Sequence, residues 1–188
     1  DDLIDLRDRF KEEKQNENLF FKTDHHWTGR GARTGAAEFL AHKGSSEGAE
    51  KVLSCGLETL SRDFKGTLYS KVLLKTLETD IIETSAAARG ADLRVEIEGK
   101  EYGSLYFDEY LSQKDKYAVY FGGNYAQVDI ETGPWAQVGQ EGEKLLIVKD
   151  SFANSMIPFL LDDFSKITMV DTRFYRGDIS RLAEEYDR

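Results

Sequence analysis

The feature that most constrains the fold is a strand–helix–strand pattern near the end of the chain. Residues 145–148 (Leu-Leu-Ile-Val) and 167–170 (Ile-Thr-Met-Val) are short apolar runs, typical of central parallel strands buried on both faces. Between them, apolar residues recur at helical spacing, at Phe152, Met156, Phe159 and Leu160. Pro158 is expected to kink this helix or to delay its start to about Ser155. The pattern predicts two parallel strands joined by a right-handed crossover.

Ser151 comes directly after the first of these strands and before the helix. Ligands of open α/β sheets bind beyond the carboxyl ends of the strands, where Asp150 and Ser151 are expected. A serine on a sharp strand-to-helix turn presents its hydroxyl beside unpaired helical N–H groups, as a nucleophile requires. The same position also suits a serine that only caps the helix. Ser151 is therefore a candidate nucleophile, provided that a base lies nearby.

A candidate base lies in the segment Asp24-His25-His26-Trp27, which holds two of the three histidines. In an extended segment, Asp24 and His26 share one face, so the carboxylate can orient the imidazole while the other ring nitrogen reaches Ser151. Two further hypotheses fit the segment. The imidazoles could hydrogen-bond to loop carbonyls, or Asp24, His25 and His26 could bind a metal ion. Neighbouring histidines of an extended chain point apart, which disfavours the metal site.

The first half of the chain predicts helices. Residues 1–18 have the spacing of an amphipathic helix, and a second helix is predicted from the N-cap Thr28 to a stop at Gly44. Residues 45–92 show no clean period, which indicates loops and short helices.

The second half adds strands before the crossover. Alternating apolar residues from position 93 and a turn at Gly99-Lys100 predict a β-hairpin. Residues 117–121 form an aromatic and β-branched run, and Val128 and Ile130 indicate a further short strand.

Composition excludes several classes of protein. The chain has 188 residues, 40% of them hydrophobic, which suits one globular domain. Its 25 Lys and Arg against 35 Asp and Glu give a net charge of −10, which excludes a general nucleic-acid binder. No apolar run approaches the roughly 20 residues that span a bilayer, so we expect no direct membrane insertion.

Two further features concern disulfide bonds and the extent of the chain. Cys55 stands alone, which excludes an internal disulfide and a Cys-x-x-Cys redox pair. The chain begins Asp1-Asp2-Leu3 without Met, so we expect it to be a piece of a longer protein whose signal or anchor lies outside it.

Three motifs in a fixed order resemble a known family. They are Phe21-Lys22-Thr23-Asp24-His25-His26-Trp27-Thr28, Gly122-Gly123-Asn124-Tyr125 and Lys149-Asp150-Ser151-Phe152-Ala153-Asn154-Ser155. With these motifs the chain resembles the DHHW-motif family of bacterial proteins. That family resembles the SGNH hydrolase superfamily, in particular the alginate O-acetylation proteins of the cell envelope. The resemblance implies a single three-layer α/β domain with a mainly parallel sheet, decorated by a β-hairpin.

The resemblance also implies a catalytic triad. In the alginate proteins an Asp-x-His pair precedes the Gly-Asp-Ser nucleophile turn, as Asp24 and His26 precede Ser151 here. Ser151 is then the nucleophile, His26 the base and Asp24 the residue that orients the base. Two positions depart from the superfamily. Lys149 stands where it usually has Gly, and His25 replaces a small hydroxyl residue.

The glycine motif is similar to the Gly-x-Asn-Asp element of the superfamily, with Tyr125 in place of the Asp. The resemblance implies that Gly123 and Asn124 help to stabilise the oxyanion of the reaction. An ordinary turn explains the two residues equally well.

Three other residues are candidates for contact with substrate. Arg173 and Tyr175 follow the second apolar strand, so we expect them at the same sheet edge as Ser151. They would bind hydroxyls or carboxylates of a substrate, with surface ion pairing as the alternative. Trp27 suits either stacking on a sugar ring or packing in the core.

Together with the candidate triad, the resemblance implies a serine-dependent carbohydrate esterase or O-acetyltransferase, located outside the cell or in its envelope. Its partner would be a polysaccharide or an acylated small molecule, and the chemistry requires no metal and no organic cofactor. The alternative is a surface protein that keeps the fold and binds polysaccharide without turnover.

Overall fold

The computed structural model of the protein describes residues 3–72, 76–133 and 142–188. Its helices are α1 (Arg7–Glu13), α2 (Gly29–His42), α3 (Ser46–Ser54), α4 (Thr67–Val72), α5 (Ala153–Met156) and α6 (Ile179–Ala183). Its strands are β1 (Leu57–Phe64), β2 (Asp80–Ser85), β3 (Leu93–Ile97), β4 (Lys100–Tyr102), β5 (Gln127–Thr132), β6 (Lys144–Val148) and β7 (Lys166–Val170). Short 3-10 helices occupy Ala87–Gly90, Asp108–Ser112, Lys116–Val119 and Ile157–Phe159.

The main sheet has the strand order β4-β3-β5-β7-β6 and is mostly antiparallel. Among its described strands only β6 and β7 run parallel. The prediction of a mainly parallel sheet is therefore wrong, although that of a mixed α/β fold is confirmed. Buried residues alternate with more exposed ones along β3 and β5, which is the pattern of antiparallel strands. The prediction was wrong because it assumed that the whole sheet is parallel, as the β6–β7 pair is.

The parallel pair itself is confirmed, but β6 is an edge strand and not a central one. Only Leu145 is buried in β6, and Val148 is 52% exposed. The end of the chain runs beside this edge, where Leu146 N donates to Arg188 O at 2.8 Å. This contact satisfies part of the strand edge that would otherwise be unpaired.

The crossover between β6 and β7 is a short helical segment. α5 starts at Ala153, two residues before the predicted start at Ser155, and tightens into the 3-10 turn Ile157–Phe159 that contains Pro158. Because proline has no N–H to donate, it ends the α-helical hydrogen bonding here and does not delay it.

Two local predictions are confirmed. Thr28 caps α2, since its hydroxyl oxygen accepts the N–H of Gly31 at 3.3 Å. β3 and β4 form the predicted hairpin, but these strands belong to the main sheet and do not decorate it, so that part of the prediction is wrong. The turn of the hairpin lies at Glu98 and Gly99, both with positive φ, one residue earlier than predicted.

Two other segments differ from their predictions. Residues 45–92 contain a two-stranded antiparallel sheet of β1 and β2 besides the short helices. The run 117–121 is no strand, because Lys116–Val119 is a 3-10 helix and only Tyr120 makes a bridge, to Tyr106.

The core lies between the main sheet and α2 and positions the site at one sheet edge. Val95, Ile130 and Ile167 from the sheet belong to the same buried cluster as Ala36 and Leu40 of α2. Because β5 runs antiparallel to β7, the residues before β5 meet the carboxyl ends of β6 and β7. The segments before α2, before β5 and after β6 can therefore converge at this edge.

Within the described ranges, no helix combines the length and the apolar character needed to cross a membrane.

Candidate active site

Three side chains from distant parts of the sequence form a hydrogen-bonded line. Asp24 Oδ1 lies 2.5 Å from His26 Nδ1, and His26 Nε2 lies 2.7 Å from Ser151 Oγ. The side chains of Asp24 and His26 are only 2% and 7% exposed. This is the order of groups in a Ser-His-Asp triad, with the hydroxyl at the surface end.

The protonation of this line follows from the Asp24 carboxyl group. Burial alone would raise the pKa of Asp24, but hydrogen bonds from His26 and Thr67 hold it well below its ordinary value. An ionised carboxylate only accepts hydrogen bonds, so His26 Nδ1 carries the proton. In the neutral ring Nε2 is then an acceptor, and the Ser151 hydroxyl donates to it. His26 is thus ready to remove the hydroxyl proton.

The loop before α4 fixes the second oxygen of Asp24. Thr67 donates to Asp24 Oδ2 from its backbone N–H at 2.7 Å and from its hydroxyl at 2.9 Å. Gly66 packs directly on the same carboxyl group, since a Cβ on this glycine would overlap Oδ2 and lie 2.5 Å from Cγ. Glycine is therefore required at position 66 by close approach.

Aromatic rings fix the imidazole of His26. The Tyr117 ring stacks on it with a centroid distance of 3.9 Å and an interplanar angle of 7°. The Tyr117 hydroxyl donates to the Ser151 carbonyl oxygen at 3.1 Å, so one side chain touches both members of the pair. Burial raises the pKa of this hydroxyl, which keeps it a donor.

Asp150, and not Ser151, caps the turn after β6. Asp150 Oδ1 accepts the N–H of Phe152 at 2.9 Å, whereas the Ser151 hydroxyl is bonded to His26. Of the two hypotheses for Ser151, the geometry favours a nucleophile over a capping residue. The Trp27 indole N–H donates to the Phe152 carbonyl oxygen at 3.0 Å and its ring packs against the core, as the core alternative for Trp27 predicts.

The rings of His25 and His26 lie 3.9 Å apart, so the prediction that the neighbouring histidines point apart is wrong. His25 differs from His26 in its exposure and in its nearest hydrogen-bond partner. Its side chain is 48% exposed, and its Nδ1 lies 2.9 Å from Thr67 Oγ1. Asp24, His25 and His26 each offer a ligand atom within 4.8 Å of the others, so they are the described residues that could hold a metal ion. Asp24 Oδ1 and His26 Nδ1 already bind each other, which favours the hydrogen-bonded arrangement.

The glycine motif lies beside residues that flank Ser151 in the chain. Phe121, Gly122 and Gly123 have φ values of 63°, 78° and 141°, a left-handed run that is strained at the phenylalanine. This turn presents Asn124, whose Oδ1 accepts from Lys149 Nζ and from Asn154 Nδ2, both at 3.2 Å. The motif thus forms a turn, as one alternative predicts, and it also lies beside the residues that flank Ser151.

The structure does not join Arg173 and Tyr175 to the triad. Arg173 makes a bidentate pair with the buried carboxylate of Asp171, with distances of 2.9 and 2.6 Å, and this pair lowers the pKa of Asp171. Tyr175 folds over Gly177. Among the described residues neither side chain hydrogen-bonds to Ser151 or His26. Arg173 keeps a half-exposed guanidinium group at the same sheet edge.

Sequence reasoning missed the residues that support the site, namely Gly66, Thr67, Tyr117, Asn154 and Ser155. Threonine and tyrosine are common residue types, and these positions lie 34 to 43 residues from their partners in the chain. Asn154 and Ser155 stand within the motif that contains Ser151, so their spacing from the serine was the available signal.

Solved structures resemble this fold. A DHHW family protein from Eubacterium siraeum is 25% identical with a TM-score of 0.72, over 93% of this chain and 57% of that chain. Bacillus cereus PatB1 with a sulfonyl adduct is 20% identical with a TM-score of 0.69, over 98% and 63%. A second PatB1 structure is 22% identical with a TM-score of 0.63, over 94% and 64%. The chain therefore spans less than two thirds of these relatives, and the PatB1 likeness concerns the fold alone.

Two sequence comparisons gave different results. No curated protein matches the chain significantly. The profile of the family described as DHHW protein matches residues 8–170, which is most of the chain. The chain therefore belongs to the DHHW family.

Proposed function

We propose that the chain is a serine-dependent acyl-ester enzyme, an esterase or O-acetyltransferase that acts on carbohydrate esters. The observation that carries the proposal is the hydrogen-bonded line from Asp24 through His26 to Ser151, with 2.5 and 2.7 Å between its atoms. A serine hydroxyl that donates to a neutral imidazole oriented by a buried carboxylate is the arrangement that activates serine for attack.

The reaction has two halves. As Ser151 Oγ bonds to the ester carbonyl carbon, its proton passes to His26 Nε2 and the carbonyl oxygen becomes an oxyanion. The bond to the leaving alcohol then breaks, and that oxygen takes the proton from His26, which leaves an acyl-serine. In the second half, water or a sugar hydroxyl attacks the acyl group and gives its proton to His26. The bond between the acyl carbon and Ser151 Oγ then breaks, and His26 returns the proton to Ser151.

The glycine motif supplies the oxyanion site in this proposal. Gly123 and Asn124 lie where residues before β5 reach the carboxyl end of β6, and the Asn124 NH2 group has no hydrogen-bond partner among the described residues. A donor aimed at the developing negative charge stabilises the transition state more than the substrate. Arg173 adds a half-exposed cation at the same edge for substrate hydroxyls or carboxylates.

The substrate class and the location follow from the family resemblance. We propose a polysaccharide or acylated small molecule outside the cytoplasm, in line with the envelope O-acetylation proteins that the motifs resemble. The sulfonyl adduct of PatB1 supports a nucleophilic mechanism for that protein, because sulfonyl groups become attached to activated nucleophiles. For this chain we propose Ser151 as the corresponding nucleophile.

The test is mass spectrometry of the protein after incubation with an activated acetyl ester, with Ser151→Ala as the matched control. We expect one acetyl group on Ser151 in the wild type and none at that position in the variant. Product release should accompany the labelling. Saturable polysaccharide binding without acetylation or turnover would support the binding protein instead and contradict the enzyme.

A further inference from the structure

A half-buried lysine beside Ser151 has no role in the mechanism above. Lys149 directly follows β6 and lies two residues before Ser151. Its ammonium group donates to Asn154 Oδ1 at 2.7 Å and to Asn124 Oδ1 at 3.2 Å. The glycine that the superfamily usually has at this position could make neither contact.

The chemistry of the ammonium group sets the orientation of both amides. A charged lysine has three donors and no acceptor, so each asparagine must present its oxygen to Lys149 and turn its NH2 group away. Asn154 is 2% exposed, and its NH2 group bonds to Asn124 Oδ1 at 3.2 Å and to the Gly123 carbonyl oxygen at 3.4 Å. The oxygen of Asn124 thus faces two donors, and its NH2 group lies opposite them.

We infer that Lys149 is a positioning residue, which holds the Asn124 side chain with its NH2 group free to donate to the oxyanion formed at Ser151. The inference rests on the proposed function and extends it to a residue outside the triad. Without Lys149, only the bond from Asn154 Nδ2 would hold the exposed side chain of Asn124, and we expect it to sample more rotamers. Fixing the donor before the reaction avoids reorganisation in the transition state.

The position of Lys149 also makes its charge sensitive to pH. Burial is the main cause that lowers the pKa of Lys149 to about 8, and the nearby charge of Arg173 also lowers it. The carboxylates of Asp171 and Asp150 act in the opposite direction, because they favour the charged ammonium. The ammonium is therefore charged at neutral pH and loses its charge as pH rises through this value. The hydrogen bond from Lys149 to Asn124 should weaken over the same pH range.

The experiment compares wild type, Lys149→Met, Asn124→Ala and the double variant on an activated acetyl ester. We expect Lys149→Met to lower kcat about tenfold with little change in KM, less than the roughly 10²-fold loss expected when an oxyanion donor is removed. If Lys149 acts through Asn124, the double variant is no slower than Asn124→Ala, within about twofold. Losses that multiply in the double variant would overturn the inference.

A pH profile separates positioning from a purely structural role. In the wild type, kcat/KM should fall as pH rises through about 8, and this step should be absent in Lys149→Met. Lys149→Arg keeps the charge and should remain active above pH 8. Lys144→Met is the matched control, because Lys144 is exposed at the other end of β6. It should behave as the wild type.

The outcomes keep the two proposals apart. A wild type that neither acetylates Ser151 nor turns over ester would contradict the proposed function and this inference together. An active wild type with an unchanged rate and pH profile in Lys149→Met would contradict the inference alone. Thermal unfolding shows whether Lys149→Met is folded. If it is not, Lys149→Arg decides the question, since a rate that still falls through pH 8 in that variant would overturn the inference.

Discussion

In the region around His26, both oxygens of the Asp24 carboxylate are hydrogen-bonded, and the side chains of Asp24 and His26 are buried. We call Asp24, His26 and Thr67 the base side. In a second region, beside residues that flank Ser151 in the chain, Asn124 is exposed, and its side-chain oxygen is held by a titratable cation, Lys149, and by one buried amide, Asn154. We call Asn124, Lys149 and Asn154 the amide side.

The difference between the two sides indicates how strongly substitutions on each should affect activity. The base side is preorganised by the fold, since its contacts come from residues packed around a buried carboxylate. The amide side lies at the surface beside a lysine whose pKa is lowered, so its charge changes with pH near 8. Changes to the base side should therefore remove activity, and changes to the amide side should reduce it.

The largest effect is expected on the base side. His26→Ala and Ser151→Ala should each lower the turnover of an activated acetyl ester by at least ~10³-fold, because each removes a member of one catalytic unit. The double variant should be hardly slower than either single variant. Steady-state kinetics of the three proteins measures this. A Ser151→Ala protein with wild-type turnover would contradict the serine mechanism.

A smaller effect is expected on the amide side. Asn124→Ala should cost about 10²-fold in kcat, or ~3 kcal/mol of barrier, if its NH2 group donates to the oxyanion. KM should change little, since the oxyanion forms only in the transition state. A variant that raises KM and leaves kcat intact would assign Asn124 to substrate binding.

Gly66→Ala tests how closely the base side is packed. The added methyl group would overlap the Asp24 carboxyl group, so the loop or the carboxylate must shift. We expect a loss of about 1–3 kcal/mol in the free energy of unfolding and a clear loss of activity. Gly103→Ala is the control, because a Cβ there meets open space. Chemical denaturation and ester hydrolysis should both distinguish the two variants.

The smallest effect is expected for the other histidine. His25→Ala should retain most activity and lose at most about 1 kcal/mol of stability, since it removes one hydrogen bond at the surface. A chelator should likewise change neither folding nor activity. A stoichiometric metal that is lost together with activity would instead favour the metal site of Asp24, His25 and His26.

Local signals in the sequence predicted local structure well. The cap at Thr28 and the hairpin at Gly99 depend on neighbouring residues, and both are confirmed. The order of strands in the main sheet depends on pairing between distant segments, so β6 was wrongly placed at the centre. The strand β1 was missed because its register shifts near Ser61 interrupt the alternation that predicts a strand.

The site was predictable where its chemistry is distinctive. Asp24, His26 and Ser151 lie together, as the family resemblance implies, and their catalytic roles stay predictions. The extended geometry predicted for the first two is wrong, because the chain around Asp24 forms bends. Gly66 and Tyr117 had no such signal, because one acts only by being small and the other by stacking. Contacts of this kind form between residues that are distant in the sequence, so they could not be predicted without the tertiary fold.

The central claim is that Ser151 is a nucleophile activated by His26, and labelling with a sulfonyl fluoride tests it most directly. Attack by Ser151 Oγ displaces fluoride and leaves a sulfonyl ester, which is read by intact mass and by peptide mapping. We predict one label on Ser151 in the wild type and in His25→Ala, and labelling at least a hundredfold slower in His26→Ala. Labelling at another residue, or at the wild-type rate in His26→Ala, would contradict the claim.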